Sequence, residues 1–363
     1  MRLVTFKRTL RLAAVSGALL GLPALSIISG TSATAQTADE KFTVALIGDY
    51  NYGALNGPLW QESGRMIADI NANKPFFVIH NGDIKAGSSE CTDAIVTATK
   101  AQFDSFKMPL VYLFGDNEWT DCHRILSSNP RSAFGDPFER LENLRTTFYS
   151  SNRTQGTNPF TVIRQADVDQ QFQSYVENVR WKRGSVMFIG LNIPGSNNNC
   201  ESPYQATRVP SLYECKVREP AVLKWLSDSF AEAKRLQAKA VFIAMQGNPD
   251  FENTNVDMPA YDNNGYKRFL KTLQNEVVQF PGQVVLTHGD SHTQHIDKPL
   301  NDVIDVRDPS ATGKVIGSLL RVETFGNPET HWIKMTVDPT SKDLFTFERM
   351  IVAGNPAPKA LPN

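Results

Sequence analysis

The stretch FTVALIGDYN, residues 42–51, sets the reading of the whole chain. Phe42–Gly48 is a nearly continuous apolar run that stops on glycine and Asp49. A strand buried on both faces reads as such a run, whereas a half-exposed strand alternates. The pattern recurs downstream. PFFVIH at 75–80 runs into Asn81-Gly82-Asp83, and PLVYLF at 109–114 runs into Gly115-Asp116-Asn117-Glu118. AVFIAM at 240–245 ends at Gln246-Gly247-Asn248, and QVVLT at 283–287 ends in His288-Gly289-Asp290-Ser291-His292. Segments 58–71, 93–106, 219–236 and 264–278 carry helical periodicity. Strands alternating with helices predict βαβ units and a largely parallel sheet in an α/β fold.

The middle, 125–215, is rich in Asn, Ser, Pro and Thr, with short strand candidates at 160–164, 176–181 and 185–191. It predicts long loops lying over the strand ends. Three β candidates follow at 315–325, 330–338 and 344–352, and their short polar connections predict antiparallel pairing in sequence order. Residues 356–363 read as a frayed tail, and there is no internal repeat.

In open α/β sheets, ligands bind in the crevice at the carboxyl ends of the strands. Glycine beside a polar residue lets the backbone turn and approach a ligand. Carboxylates gathered at successive strand ends repel one another, so they need a cation between them or must take up protons. A single Asp or Asn after a strand reads equally well as a turn former or helix N-cap. Five polar clusters in succession point to metal.

These clusters, in this order, resemble those of the calcineurin-like metallophosphoesterases. That family runs D-x-H, G-D, G-N-H-E, a lone His and G-H-x-H, each at a strand end. The match spans about residues 42–297. The resemblance implies a four-layer α/β/β/α sandwich of mixed sheets flanked by helices. It also implies a two-metal site acting on a small phosphate ester, a phosphomonoester or phosphodiester. Asp49, Asp83 and His292 keep the family's residue type. Asn51 stands in place of a ligand His, Asp116 in place of a ligand Asn, and Asn117 in place of the catalytic His. Gln246 replaces the lone His and Asp290 the first His of the last motif. By the resemblance, Asp83 bridges two pockets, one of Asp49, Asn51, Asp83 and His292, the other of Asp83, Asp116, Gln246 and Asp290. Oxygen donors replace nitrogen at Asn51, Gln246 and Asp290, which favours Mg²⁺, Ca²⁺ or Mn²⁺ over Zn²⁺.

Asn117 cannot give up a proton as a histidine can. His288, beside the last motif, and His123 are therefore candidates for that role. Lys85 or Arg124 could clamp a phosphate oxygen, though a solvated surface position is the simpler expectation for both. Tyr50 and Tyr52 flank the first motif and could stack on a substrate. His80 reads as a core or supporting histidine, and His295 and His331 as surface or packing residues. Trp60, Trp181 and Trp225 read as packing aromatics, and Glu118–Cys122 as a substrate-contacting loop or, more simply, a corner pinned by a disulfide. If turnover went with the missing His, the alternative is a non-catalytic protein that keeps a cation for stability or ligand capture.

Arg2, Lys7, Arg8 and Arg11 precede an apolar run from Leu12 to Ile28 and the triplet Ala33-Thr34-Ala35. This predicts a signal peptide over 1–35, cleaved before Gln36, and a periplasmic or secreted protein. An uncleaved anchor is the rival reading, and Gly and Pro inside the run speak against it. Cleavage leaves 328 residues, read as one domain over 36–355, with 33 basic against 38 acidic side chains and a net charge of −5. That balance argues against a nucleic-acid platform. No later stretch is long and apolar enough to span a membrane. An even four cysteines in an exported chain predict disulfides. Sequence alone permits three pairings; Cys200 and Cys215 are close and flank one loop, so the expected one joins them and leaves Cys91 with Cys122. A zinc site is disfavoured by the lack of CxxC spacing.

Overall fold

The computed structural model describes residues 40–124, 135–200, 209–249, 251, 264–302, 310 and 312–359. The expected signal peptide lies outside them. Thr37–Asn363 forms one compact unit.

Twelve strands among the described residues build two mixed sheets. The first holds β1 (Phe42–Ile47), β2 (Phe77–His80), β3 (Leu110–Tyr112), β11 (Trp332–Val337) and β12 (Phe345–Met350), in the order β12-β11-β1-β2-β3. The second holds β4 (Ile163–Arg164), β5 (Val179–Arg183), β6 (Val186–Gly190), β7 (Ala240–Ala244), β8 (Gln283–His288), β9 (His295–Asp297) and β10 (Leu319–Glu323), in the order β4-β5-β6-β7-β8-β10-β9. Parallel pairing runs through β1-β2-β3 and β6-β7-β8-β10, with antiparallel strands at the margins. The sheets are thus mixed, where the sequence pattern alone predicted a largely parallel one.

Strand alternation divides the core. Phe77 faces the second sheet, with its ring 5.1 Å from Phe188 and 5.7 Å from Trp181. His80 points the other way, 5.1 Å from Phe103 of α2 (Asp93–Phe103). In β6 and β7, Phe188 and Phe242 join the inter-sheet core, while Ile189 and Ile243 pack beneath α4 (Val209–Arg235) and α5 (Lys267–Gln279). On the other side α1 (Pro58–Asn73), α2 and α3 (Pro137–Phe148) cover the first sheet. The result is four layers, helix-sheet-sheet-helix. Each fully buried Phe, Ile or Leu contributes roughly 1.5–3 kcal/mol, so a one-residue slip in any central strand would be costly.

Local signals set the helix starts. Pro58 opens α1 after Gly57, the Thr92 hydroxyl accepts from Ile95 N at 3.4 Å, and Asp136 accepts from Phe138 N at 2.9 Å ahead of Pro137. Helix α3 falls where the sequence reading expected only loops, although Asp136-Pro137 is a helix-start signal. Helix α4 begins well before the expected Glu219 and runs through Pro220. The early turns are held by the buried Arg218–Glu214 pair, 2.7 Å, and by the Cys200–Cys215 disulfide.

The expected closing meander is corrected. Only β11 and β12 form an antiparallel hairpin, while β10 lies parallel to β8 in the other sheet. Gly326-Asn327-Pro328 turns the chain across the sandwich between them, with Asn327 N donating to Asp49 O at 2.8 Å. In the tail, Lys359 N donates to Glu329 Oε1 at 2.8 Å. No described helix is long and apolar enough to cross a membrane.

Candidate metal centre

The carboxyl ends of β1, β2 and β3 from one sheet meet those of β7 and β8 from the other. Asp49 N donates to Gly82 O at 3.0 Å and Tyr50 N to Asp83 O at 3.2 Å, which ties the first two loops together. Asp290 N donates to Asp49 Oδ1 at 2.9 Å and carries the link to β8. Left-handed backbone is concentrated here: φ is 55° at Asp49, 67° at Asn51, 57° at Asp83, 78° at Asp290 and 60° at His292. Such conformations cost a non-glycine residue roughly 1–3 kcal/mol each and persist where the surroundings enforce them. Two glycines allow the approach. A Cβ on Gly115 would stand 2.0 Å from Asp83 Oδ1, and one on Gly289 would stand 1.9 Å from Asp49 Oδ2.

Two groups of ligand atoms result, each with all members within 4.8 Å of one another: Asp49, Asp83 and His292, and Asp83, Asp116 and Asp290. Asp83 belongs to both. Burial pushes the Asp49 carboxyl well above its usual range, and the charges of Asp290, Glu323 and Asp116 add to this. Burial does the same to Asp83, reinforced by Asp116, Glu118, Asp49 and Asp290. Asp290 is pushed up to about 7, mainly by burial and then by Asp116. Asp49 Oδ2 is buried with no hydrogen-bond partner among the described residues. His292 Nδ1 lies 2.8 Å from the Asn327 carbonyl, which orients Nε2 toward Asp49 Oδ1 at 3.6 Å. Burial lowers the pKa of this ring, which favours the neutral imidazole. An orphaned carboxylate oxygen, mutually repelling acids and a neutral imidazole held from behind fit divalent cations.

Five of the seven expected ligand positions, Asp49, Asp83, Asp116, Asp290 and His292, come together. Asn51 is turned elsewhere: its Oδ1 accepts from Ser63 Oγ at 2.6 Å and its Nδ2 donates to Gln102 Oε1 at 2.8 Å, toward α1 and α2. Gln246 faces the cluster as a donor, with Nε2 3.2 Å from Asp116 Oδ1, while its Oε1 accepts from Gly195 N. Asn117 holds Asp83 from both backbone and side chain, N to Oδ1 at 3.1 Å and Nδ2 to Oδ2 at 2.7 Å. His288 is fully buried at the end of β8, its Nδ1 2.9 Å from Gly289 O, and belongs to neither group. His123 lies 2.6 Å from the Thr120 carbonyl.

Lys85 is not at the surface. It is buried, its Nζ donating to Ala86 O at 2.9 Å and Ser89 O at 3.0 Å, and burial lowers its pKa to about 8. Arg124 is half-exposed and pairs with Asp121 at 2.7 Å. Tyr50 is buried against His80, 4.8 Å between rings, so it cannot stack on a substrate. His80 is itself buried and held neutral, its pKa pushed down to about 3.

Four further contributors brace the centre, and of these only the Ser196 turn went unnamed in the sequence reading. Glu118 Oε1 accepts from Tyr112 OH at 2.6 Å and Asp83 N at 3.2 Å, so it splints the second and third loops. Cys91–Cys122 pins the same corner. Ser196 Oγ lies 2.7 Å from Asp116 Oδ2 and 2.8 Å from Asp121 Oδ1. It sits in a left-handed turn, Ser196–Asn199, anchored by Arg218 to Asn192 O and to both oxygens of Asn198. A run of asparagines is the one sequence hint, since Asn tolerates this conformation. Tyr52 places its hydroxyl 2.8 Å from Asp83 Oδ2.

No protein-family model and no curated protein matches the sequence. Solved structures resemble its fold. A dimetal phosphatase from Danio rerio is 11% identical, covers 85% of this chain and 96% of its own, and superposes with a TM-score of 0.49. GAP50, the anchor in the inner membrane complex of Plasmodium, is 10% identical over 86% of this chain and 89% of its own, TM-score 0.43. A 5'-nucleotidase from Candida albicans is 12% identical over 86% of this chain and 52% of its own, TM-score 0.40. With two mixed sheets between helices and polar clusters in the family's order at five strand ends, the chain resembles the calcineurin-like metallophosphoesterases.

Proposed function

We propose that this protein is an exported, metal-dependent phosphoric ester hydrolase that acts on a small phosphomonoester or phosphodiester. The observation that carries this is Asp83, one buried carboxylate common to two groups of ligand atoms. Asp49 and His292 complete one side and Asp116 and Asp290 the other, with Asp83 as the bridge. The largely oxygen donor set favours Mg²⁺, Ca²⁺ or Mn²⁺ over Zn²⁺. Two disulfides and the basic-then-apolar N-terminus support export.

Two bound divalent cations would supply Lewis acidity to the phosphoryl oxygens and lower the pKa of an attacking water. The protein's own part is positioning. Asn117 orients Asp83 through two hydrogen bonds. Gln246 and Asn248 N donate to the acids on the far side, 3.2 Å to Asp116 and 2.9 Å to Asp290, and hold them in place without neutralising them. The Asn327 carbonyl fixes the His292 tautomer. His288, with Nδ1 on the Gly289 carbonyl, is not set up as a proton donor to a leaving group.

That last arrangement favours a second reading, a cation-dependent binding protein without turnover. The deciding experiment pairs metal analysis of the purified mature protein with phosphatase and phosphodiesterase assays in Mg²⁺, Ca²⁺, Mn²⁺ and Zn²⁺, beside Asp83→Asn. Ester hydrolysis that needs metal and vanishes in the variant supports the hydrolase. Bound metal with no turnover on any ester supports the binding protein. A protein that takes up no divalent cation would sink both.

A further inference from the structure

The Tyr52 hydroxyl has more acceptors than protons. It donates to Asp83 Oδ2 at 2.8 Å, accepts from Asn117 Nδ2 at 2.9 Å, and lies 3.1 Å from His292 Nε2. The Asn327 carbonyl can only accept, so His292 Nδ1 carries the ring proton and Nε2 presents a lone pair. Asp83 and His292 therefore compete for one phenolic proton. Both belong to the group with Asp49 that fits a cation. Once those lone pairs are engaged by a cation, the phenolic proton must find another acceptor. Asn117 offers only its amide N–H₂ here, already turned to Asp83 and Tyr52. The Tyr52 ring is held edge-on against His292, 5.1 Å between centroids, and the residue is only half-buried while Asp49 and Asp83 are fully buried. Tyr52 is thus more exposed than Asp49, Asp83 and Asn117, and an anionic oxygen that reached its hydroxyl would complete that group's hydrogen bonds.

We propose that Tyr52 is a substrate-contacting residue whose hydroxyl, in the cation-loaded site, donates a hydrogen bond to a phosphoryl oxygen, with Asn117 orienting it. This rests on the phosphoester reading of the site. A phenol of ordinary pKa, about 10, carries its proton at neutral pH, so the group can donate. A hydrogen bond to an anionic oxygen is stronger than a neutral one. It would take over part of the charge stabilisation for which Asn117 supplies no imidazole.

The test uses the full mature chain loaded with Mn²⁺, wild type and Tyr52→Phe, and inorganic phosphate as the probe. Metal content, phosphate affinity by calorimetry and the tyrosine ultraviolet difference spectrum on phosphate addition are the readouts. The variant should keep its metal, bind phosphate roughly ten- to hundredfold more weakly, and lose the phosphate-induced tyrosine signal. Equal phosphate affinity in the two proteins would overturn the proposal. So would loss of metal in the variant, which would make Tyr52 a residue that holds the cation. A wild type that binds no phosphate would overturn it too. If wild type binds phosphate through Tyr52 yet hydrolyses no ester, the contact stands and the hydrolase reading falls. If wild type hydrolyses esters and Tyr52→Phe matches it in affinity, only the Tyr52 proposal falls.

Discussion

Exchanging the Asp83 carboxylate for an amide removes the charge that both ligand groups share. Asp83→Asn should weaken cation binding by at least about tenfold, or about 1.4 kcal/mol, as read by calorimetry. The same exchange relieves repulsion from Asp116, Glu118, Asp49 and Asp290, so the metal-free variant should melt higher than metal-free wild type. A pH effect follows from the same crowding. Asp290, Asp121 and Glu323 are each pushed up to about 7, chiefly by burial. A carboxyl with a raised folded-state pKa binds protons more tightly in the native state than in the unfolded chain. Native stability therefore falls as pH rises from the ordinary carboxylate range through about 7. The metal-free protein should melt higher at pH 5.5 than at pH 8. Saturating divalent cation should flatten or reverse that slope; a slope of the opposite sign without metal would contradict this account of the cluster.

Among the elements, the loop after β3 is the one most visibly braced. Cys91–Cys122 closes it across a separation of 31 residues. A Cys91→Ser/Cys122→Ser variant should lose about 3–4 kcal/mol by loop-closure entropy, seen in urea unfolding. It should also bind metal less tightly, because Asp116 and Glu118 ride on that corner. Gly289→Ala drives a methyl into Asp49 Oδ2, so it should abolish metal uptake while circular dichroism stays native-like.

Much at this scale was legible. The five apolar runs are strands, each delivers its polar cluster at its carboxyl end, and Cys91 pairs with Cys122 and Cys200 with Cys215. What was hidden depended on direction in space. Asn51 lies two residues after Asp49, but its left-handed backbone turns its amide to Ser63 and Gln102. Lys85 reads as a surface cation, yet two backbone carbonyls and nearby acids hold it inside. Strands β10 and β11 are neighbours in sequence and lie in different sheets, since short polar connections do not say which edge a strand will join.

At the scale of the whole molecule, the centre sits on the seam of the sandwich. Asp49, Asp83 and Asp116 leave the first sheet and Asp290 and His292 the second. A cation there binds the native chain and not the unfolded one, so it should stabilise the whole unit. At a hundred times the dissociation constant the gain is about 2.7 kcal/mol, measured as a melting temperature that climbs with added Mn²⁺ or Mg²⁺. A melting temperature indifferent to every divalent ion would exclude a site on this seam.

The bond between Asp290 N and Asp49 Oδ1 joins residues 241 positions apart. Contacts of such separation form late, because chain closure must precede them. The binding centre therefore cannot be assembled piecemeal as the chain emerges: its last ligands, Asp290 and His292, follow β8. Ion capture during refolding would then serve as a clock for the final step, lagging behind the appearance of secondary structure.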